Sequence, residues 1–240
     1  MSLVSAALPL LVRGARIAFG ERVVANDLSL DFATGRTTCL LGRSGVGKSS
    51  LLRWLAGLLP GTEPSRDIAY MAQADLLLPW LSVLDNVLLG YRLRRNSAAL
   101  QVARPRALGL LEQVGLGGRL ADLPQTLSGG MRQRAALART LCEDRAIVLM
   151  DEPFAHLDAV TRLELQDLAA RLLAGRTVVL VTHDPLEALR LGHQVRVLSG
   201  QPLRAGPPIE PGGTVPRDPA APGLLALQAD LLAELREPAA

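Results

Sequence analysis

Leu127-Ser128-Gly129-Gly130-Met131-Arg132-Gln133-Arg134 is the stretch on which the reading of this 240-residue chain turns. Alone, Ser-Gly-Gly is an ordinary turn before a helix, and Ser128 suits the capping position. Upstream stands Gly42-Arg43-Ser44-Gly45-Val46-Gly47-Lys48-Ser49, a full match to the phosphate-loop template G-x-x-x-x-G-K-[ST]. Downstream stands Ile147-Val148-Leu149-Met150-Asp151-Glu152, an apolar run that ends in two carboxylates. Many NTPases have the outer two motifs, so the Ser-Gly-Gly between them carries the discrimination.

Composition sets the frame. The chain is 49% hydrophobic and 20% charged, enough apolar material for a sizeable core. A net charge of +3, with the arginines scattered, gives no basis for a nucleic-acid partner. Cys39 and Cys142 are too few for a disulfide framework and share no metal-ligand spacing, and Cys39 reads as a buried thiol. No apolar run approaches the roughly 18 residues of a transmembrane helix. Met1 to Val12 lacks the basic start and cleavage site of a signal peptide. The expectation is a cytosolic chain that reaches a membrane only by docking on a spanning partner.

Hydrophobic periodicity organises the rest. Leu10 to Phe32 alternates as strands around a turn at Phe19-Gly20-Glu21, and Thr37 to Leu41 is a buried strand entering the phosphate loop. Lys48 to Leu58 reads as a helix, Asp67 to Met71 as a strand, and Leu84 to Arg94 and Ala98 to Val114 as helices, with Pro105 kinking or splitting the last. Gly129 to Cys142 and Ala159 to Leu173 are helical, and Ala146 to Met150 and Thr177 to Val181 are buried strands. Strands alternating with helices predict a mainly parallel α/β sheet, interrupted by a helical insertion from about Val83 to Leu127. Residues 1–200 form the main domain on this reading. The Pro/Gly-rich stretch Gln201 to Pro222 is irregular, and Gly223 to Glu237 is a helix whose Leu224, Leu227, Leu231 and Leu235 pack on the core.

The chemistry follows from residue type and place. Gly42, Ser44, Gly45, Val46, Gly47, Lys48, Ser49 and Ser50 turn backbone N–H groups and a helix N-terminus toward a phosphate chain. Lys48 suits the β- and γ-phosphates, and the Ser49 hydroxyl suits Mg²⁺. Asp151 and Glu152 sit at a strand's C-terminal end, where open α/β sheets bind ligands. Asp151 is the metal candidate, and Glu152 the general base that polarises the attacking water. Ser128, Gly129 and Gly130 open a helix with N–H groups free to meet an anion.

These motifs, in this order from about Leu10 to Gly200, resemble the ATP-binding-cassette (ABC) family. The resemblance implies a P-loop NTPase fold with a RecA-like core, a small antiparallel β-subdomain and an inserted helical subdomain. It implies ATP and Mg²⁺ as cofactors, and a head-to-tail homodimer in which Ser128-Gly129-Gly130 of one chain meets the γ-phosphate held by the other. Gln73 matches the family's glutamine loop, touching Mg²⁺ and water and sensing the membrane partner. His183 matches the switch histidine at the γ-phosphate. Asp158 matches the loop linking the two active sites, and Phe19 the adenine-stacking aromatic, a place where Tyr is commoner. Two departures stand out: the stretch between Gly57 and Gln73 is short enough to truncate a β-hairpin usual there, and His156 replaces a small residue.

Asp75-Leu76-Leu77-Leu78-Pro79-Trp80-Leu81-Ser82-Val83-Leu84-Asp85-Asn86-Val87 resembles the corresponding segment of nitrate, sulfonate and taurine-type importers. Val215-Pro216-Arg217-Asp218-Pro219 does so too, and within that group the Leu-Leu-Leu-Pro-Trp run is most similar to ATPases of hydroxymethylpyrimidine (thiamine-precursor) importers. An exposed Leu77, Leu78 and Trp80 would form a docking face for permease subunits. An extracytoplasmic solute-binding protein is then an indirect partner, and the cassette sits on the inner face of the membrane. The competing classes are a soluble cassette ATPase not coupled to transport, which usually has two cassettes or a coiled-coil insertion, and a non-enzymatic nucleotide-binding regulator, against which the intact Lys48, Asp151, Glu152 and His183 argue.

Overall fold

Short runs such as Cys39-Leu40-Leu41 are apolar on both faces, the pattern of parallel strands covered on both sides. A computed structural model, describing residues 8–63, 65 and 67–236, builds its main sheet from such runs. Its strands are β3 (Thr37–Gly42), β4 (Ile68–Met71), β5 (Ile147–Asp151), β6 (Thr177–Thr182), β7 (Gln194–Ser199) and the two-residue β8 (Arg204–Ala205). The order is β4-β5-β6-β3-β7-β8, all parallel except β8, which runs antiparallel to β7. A separate antiparallel hairpin joins β1 (Leu10–Phe19) to β2 (Arg22–Phe32).

Alternation along the strands divides the core in two. Leu40, Leu149, Val179 and Val181 face the hairpin and Leu51 and Leu52 of α1 (Lys48–Leu55). Cys39, Leu41, Met150, Val178 and Leu180 face the other helices. These are α2 (Val83–Val87), α3 (Leu89–Leu93), α4 (Ser97–Gln113), α5 (Gly129–Cys142), α6 (Ala159–Leu173), α7 (Pro185–Leu191) and α8 (Pro222–Arg236). Helices α2 to α4 fall between β4 and α5, within the insertion that the sequence predicts from about Val83 to Leu127. Both cysteine thiols are buried and free, and burial raises the pKa of each.

Several expectations are corrected. Helix α1 stops at Leu55, with Ala56 as cap, because Gly57 turns left-handed at φ +68°. The helix expected over Leu84 to Arg94 is two short ones meeting at Leu88. Pro105 does not split α4. Gln101, whose carbonyl loses its N–H partner, and Pro105 are both exposed, so water can serve that carbonyl. Gln73 stands two residues beyond its strand rather than ending it. The short stretch from Gly57 to Gln73 is as expected: among its described residues β4 is the one strand and it pairs in parallel, with no hairpin. Helix α7 and strand β7 have no counterpart in the sequence reading.

The tail folds back on the domain. Leu224 and Leu231 of α8 are buried and Leu227 and Leu235 pack beside them; full burial stabilises by about 1.5–3 kcal/mol per leucine. The predicted end of this helix, Glu237, lies outside the described residues. Arg217 fastens the tail to α7. Its guanidinium donates to the carbonyls of Leu189 (2.6 Å) and Gly192 (2.8 Å), at the C-terminal end of α7, and to those of Pro211 and Gly212. The cation thereby satisfies end-of-helix acceptors and opposes the negative end of the helix dipole. Arg217→Met should destabilise the chain by about 2–3 kcal/mol, a fall of roughly 4–12 °C in melting temperature. An unchanged melting curve would show that the clamp contributes nothing.

Candidate nucleotide site

Parallel strands deliver their C-terminal ends to one edge of the sheet. Strand β3 ends in the phosphate loop, β4 leads to Gln73, β5 to Asp151 and Glu152, and β6 to His183. The loop closes tightly on the hairpin. Gly47 has φ +118°, and a Cβ there would lie 2.6 Å from Val24 Cγ1. No side chain fits, so the backbone turns straight into α1.

Lys48 is buried, with Nζ donating to the carbonyls of Gly42 (2.8 Å) and Arg43 (3.0 Å). Glu152 Oε1 is 3.7 Å from the same nitrogen. Burial pulls the ammonium below its ordinary pKa, opposed by the Glu152 and Asp151 carboxylates. Glu152 is the point of convergence. Its Oε2 lies 3.0 Å from His183 Nδ1 and accepts from Gln73 Nε2 at 3.5 Å. The backbone aims it there: Glu152 is left-handed at φ +45°, and its N–H donates to Val181 of β6. Such a conformation in a non-glycine residue costs about 1 kcal/mol or more and needs surrounding structure to hold it. Asp151, only 1% exposed, accepts from Ser49 Oγ at Oδ1 (2.8 Å) and from the Tyr70 hydroxyl at Oδ2 (3.1 Å).

Phe19 and the phosphate loop, with Lys48, Ser49, Ser50 and Gln73, line a cleft of about 490 Å³. A second cavity of about 350 Å³ adjoins Glu152 and His183. His156, left-handed at φ +64°, lines this second cavity with Glu187, whose burial pushes its carboxyl up to about 7.

Ser128, Gly129, Gly130 and Asp158 line neither cavity. Ser128 caps α5 by accepting from Met131 N, and Asp158 caps α6 by accepting from Thr161 N at 3.0 Å. These two helix starts abut, since a Cβ on Gly130 would lie 2.6 Å from Thr161 Cγ2. Within one chain the structure thus assembles the phosphate loop, Gln73, Asp151, Glu152 and His183, and sets the signature beside Asp158. Helix α5 nonetheless grips the segments that follow Glu152 and Gln73. Gln133 donates to the Pro153 carbonyl, Arg132 to Asp75 (3.1 Å), and Arg139 to the Leu76 carbonyl (2.8 Å).

The expected docking face needs one correction. Leu77 is buried in the main core, whereas Leu76 and Trp80 are 61% and 71% exposed, and Leu78 is half-buried. Leu76 is left-handed at φ +48° and Asp75 Oδ1 accepts from Leu77 N, so the chain turns and Leu77 points inward. Sequence reasoning missed Asn86, the residue that shapes this loop. Fully buried, it accepts from Leu78 N (2.7 Å) and donates to the carbonyls of Leu78, Leu81 and Ser82. Tyr70, which bonds Asp151, and Glu187, which lines the second cavity, were missed too. A polar Asn86 between Leu84 and Val87 was the available signal. Asn86→Ala should cost about 1–3 kcal/mol, because it strands buried backbone groups, and hydrogen exchange should quicken at Leu78 to Ser82. Wild-type exchange there would remove Asn86 from this role.

Comparison with known proteins agrees with this geometry. The ABC transporter family model matches residues 25–155. The chain is 45% identical over 195 residues to the aliphatic sulfonates import ATP-binding protein SsuB 1 of Paracoccus denitrificans, covering 78% of each chain. It is 41% identical over 230 residues to an uncharacterized ABC transporter ATP-binding protein of Haemophilus influenzae, covering 91% of this chain and 95% of the relative. Among solved structures it is similar to a dimeric ATP-binding cassette in a post-hydrolysis state bound to ADP and Pi. That match has a TM-score of 0.71 and 29% identity, and covers 85% of this chain and 99% of the other. With its phosphate loop, Ser-Gly-Gly signature and paired carboxylates, the chain belongs to the ABC transporter family, as one of its nucleotide-binding, ATP-hydrolysing cassettes.

Proposed function

We propose that this cassette drives uptake of a small solute through separate membrane-spanning permease subunits, from the cytoplasmic face of the membrane. No helix of the described residues is long and apolar enough to cross a membrane itself. Similarity to proteins named for aliphatic sulfonate import favours a sulfonate-type cargo over transport-independent ATPase work. The thiamine-precursor pyrimidine implied by the Leu-Leu-Leu-Pro-Trp run is the second candidate. The deciding experiment is reconstitution with permease and solute-binding protein, comparing ATP hydrolysis stimulated by an alkanesulfonate with that stimulated by the pyrimidine. Equal basal rates with both would overturn the sulfonate assignment.

The observation that carries the chemistry is the convergence of Lys48, Gln73 and His183 on Glu152. In the proposed roles, Lys48 neutralises β- and γ-phosphate charge and Glu152 accepts the proton of the attacking water. His183 and Gln73 orient that water and the γ-phosphate, while Phe19 stacks on the base. The Ser49 hydroxyl and Asp151 carboxylate, 2.8 Å apart, are hard oxygen donors that suit Mg²⁺. Bound there, Mg²⁺ would neutralise charge on the β- and γ-phosphate oxygens. Because Ser128, Gly129, Gly130 and Asp158 line neither cavity beside Glu152, the proposed assembly is a head-to-tail dimer. Each signature then completes the partner's site. Residues 1–200 serve as the cassette, with 201–240 as a tail bracing α7.

Glu152→Gln should bind ATP as the wild type does and hydrolyse it about 100-fold or more slowly. On size-exclusion chromatography with ATP it should shift to the dimer mass. Wild-type turnover would remove Glu152 from the mechanism.

For the permease, Leu76 and Trp80 supply the exposed apolar face beside Gln73. Replacing both with Ser should remove about 2 kcal/mol or more of docking energy, roughly 30-fold in affinity, with the melting curve and ATP binding kept. Normal co-purification of this variant with the permease would rule the face out.

A further inference from the structure

We propose that Tyr70 is a positioning residue that sets the rotation of the Asp151 carboxylate toward the metal. The inference rests on the metal reading above and assigns work to a residue outside the motifs. Asp151 ends β5 and Tyr70 lies on the neighbouring β4, where it pairs with Leu149. The carboxylate is gripped from two sides. Ser49, on α1, donates to Oδ1 at 2.8 Å. The Tyr70 hydroxyl donates to Oδ2 at 3.1 Å, the one hydrogen bond to that oxygen among the described residues.

The direction of the phenol proton is fixed by its surroundings. A carboxylate at neutral pH has no proton to give, so across the 3.1 Å contact the phenol donates and Asp151 accepts. The chain Tyr70–Asp151–Ser49 therefore ties β4, β5 and α1 together.

The physical need is specific. The terminal torsion of an aspartate has a broad, shallow preference. A carboxylate tied at one oxygen can swing, and a swung carboxylate presents the wrong lone pair to a cation. Groups that hydrogen-bond a ligating carboxylate typically contribute about 10–100-fold to metal affinity. Tyr70 does this from behind, leaving the Oδ1 side to face Ser49.

Mn²⁺ is the probe, because the amplitude of its free electron-paramagnetic-resonance signal reports binding directly. Full-length protein saturated with ADP would be titrated with Mn²⁺. Tyr70→Phe keeps the ring and removes the hydroxyl. It should weaken Mn²⁺ binding about tenfold and raise by the same factor the Mg²⁺ needed for half-maximal ATP hydrolysis. Affinity for a fluorescent ATP analogue in EDTA should stay at the wild-type value, since a merely structural defect would lower it as well. Wild-type Mn²⁺ affinity in Tyr70→Phe overturns the inference. So does an equal loss with and without metal. Should Tyr70→Phe fail to fold, Tyr70→Leu decides: it too lacks the hydroxyl, and weaker Mn²⁺ binding with unchanged nucleotide affinity in EDTA supports the proposal while unchanged Mn²⁺ binding overturns it. Failure of the unmodified chain to hold Mn²⁺ with nucleotide would overturn the metal reading along with this one.

Discussion

Parallel strands buried on both faces leave little room for polar side chains except at their ends, and that constraint organises this molecule. Strands β3, β5 and β6 are buried almost along their length. A charged group in their midst would face a desolvation cost of several kcal/mol. The phosphate loop, Asp151, Glu152 and His183 all follow strand ends. Because the strands share a direction, those ends share an edge. The site is where this sheet has space for charge.

Charges gathered at one edge still need restraint. Glu152 faces Lys48, His183 and Gln73, and its left-handed backbone fixes the direction in which it points. Helix α5 adds a second level of control. Through Gln133 it holds the loop after Glu152, and through Arg132 and Arg139 the segment after Gln73. A displacement of α5 would thus reach Glu152 and Gln73 together. Such a rigid link would couple the nucleotide site to the exposed Leu76 and Trp80, the proposed partner surface.

Motifs with fixed spacing were legible in the sequence because the backbone itself does the work there. The phosphate loop and Ser128 landed where glycines and a capping hydroxyl require, and the bounds of α5 and α6 were read to the residue. What escaped was either short or decided by distant contacts. Helix α7 spans two turns, and Arg217 and α8 from the tail help hold it. Leu77 and Leu76 look alike in sequence, and the left-handed turn at Leu76 decides which is buried. Tyr70 bonds Asp151 on the neighbouring strand, and Asn86 ties up the Leu78 to Ser82 loop, and no periodicity announces such partners.

The contact between Gly130 and Thr161 bears on how substitutions in the signature are interpreted. A side chain at position 130 would push on the first turn of α6, and so on the loop that ends at Asp158. The outcome would mix a lost backbone contact with a shifted neighbour. Ser128 has a similar ambiguity, since its hydroxyl also caps α5. Gly129 is free of it: a Cβ there meets nothing nearer than the tip of Arg132 at 3.9 Å. Of the three signature positions, the middle glycine isolates recognition from architecture.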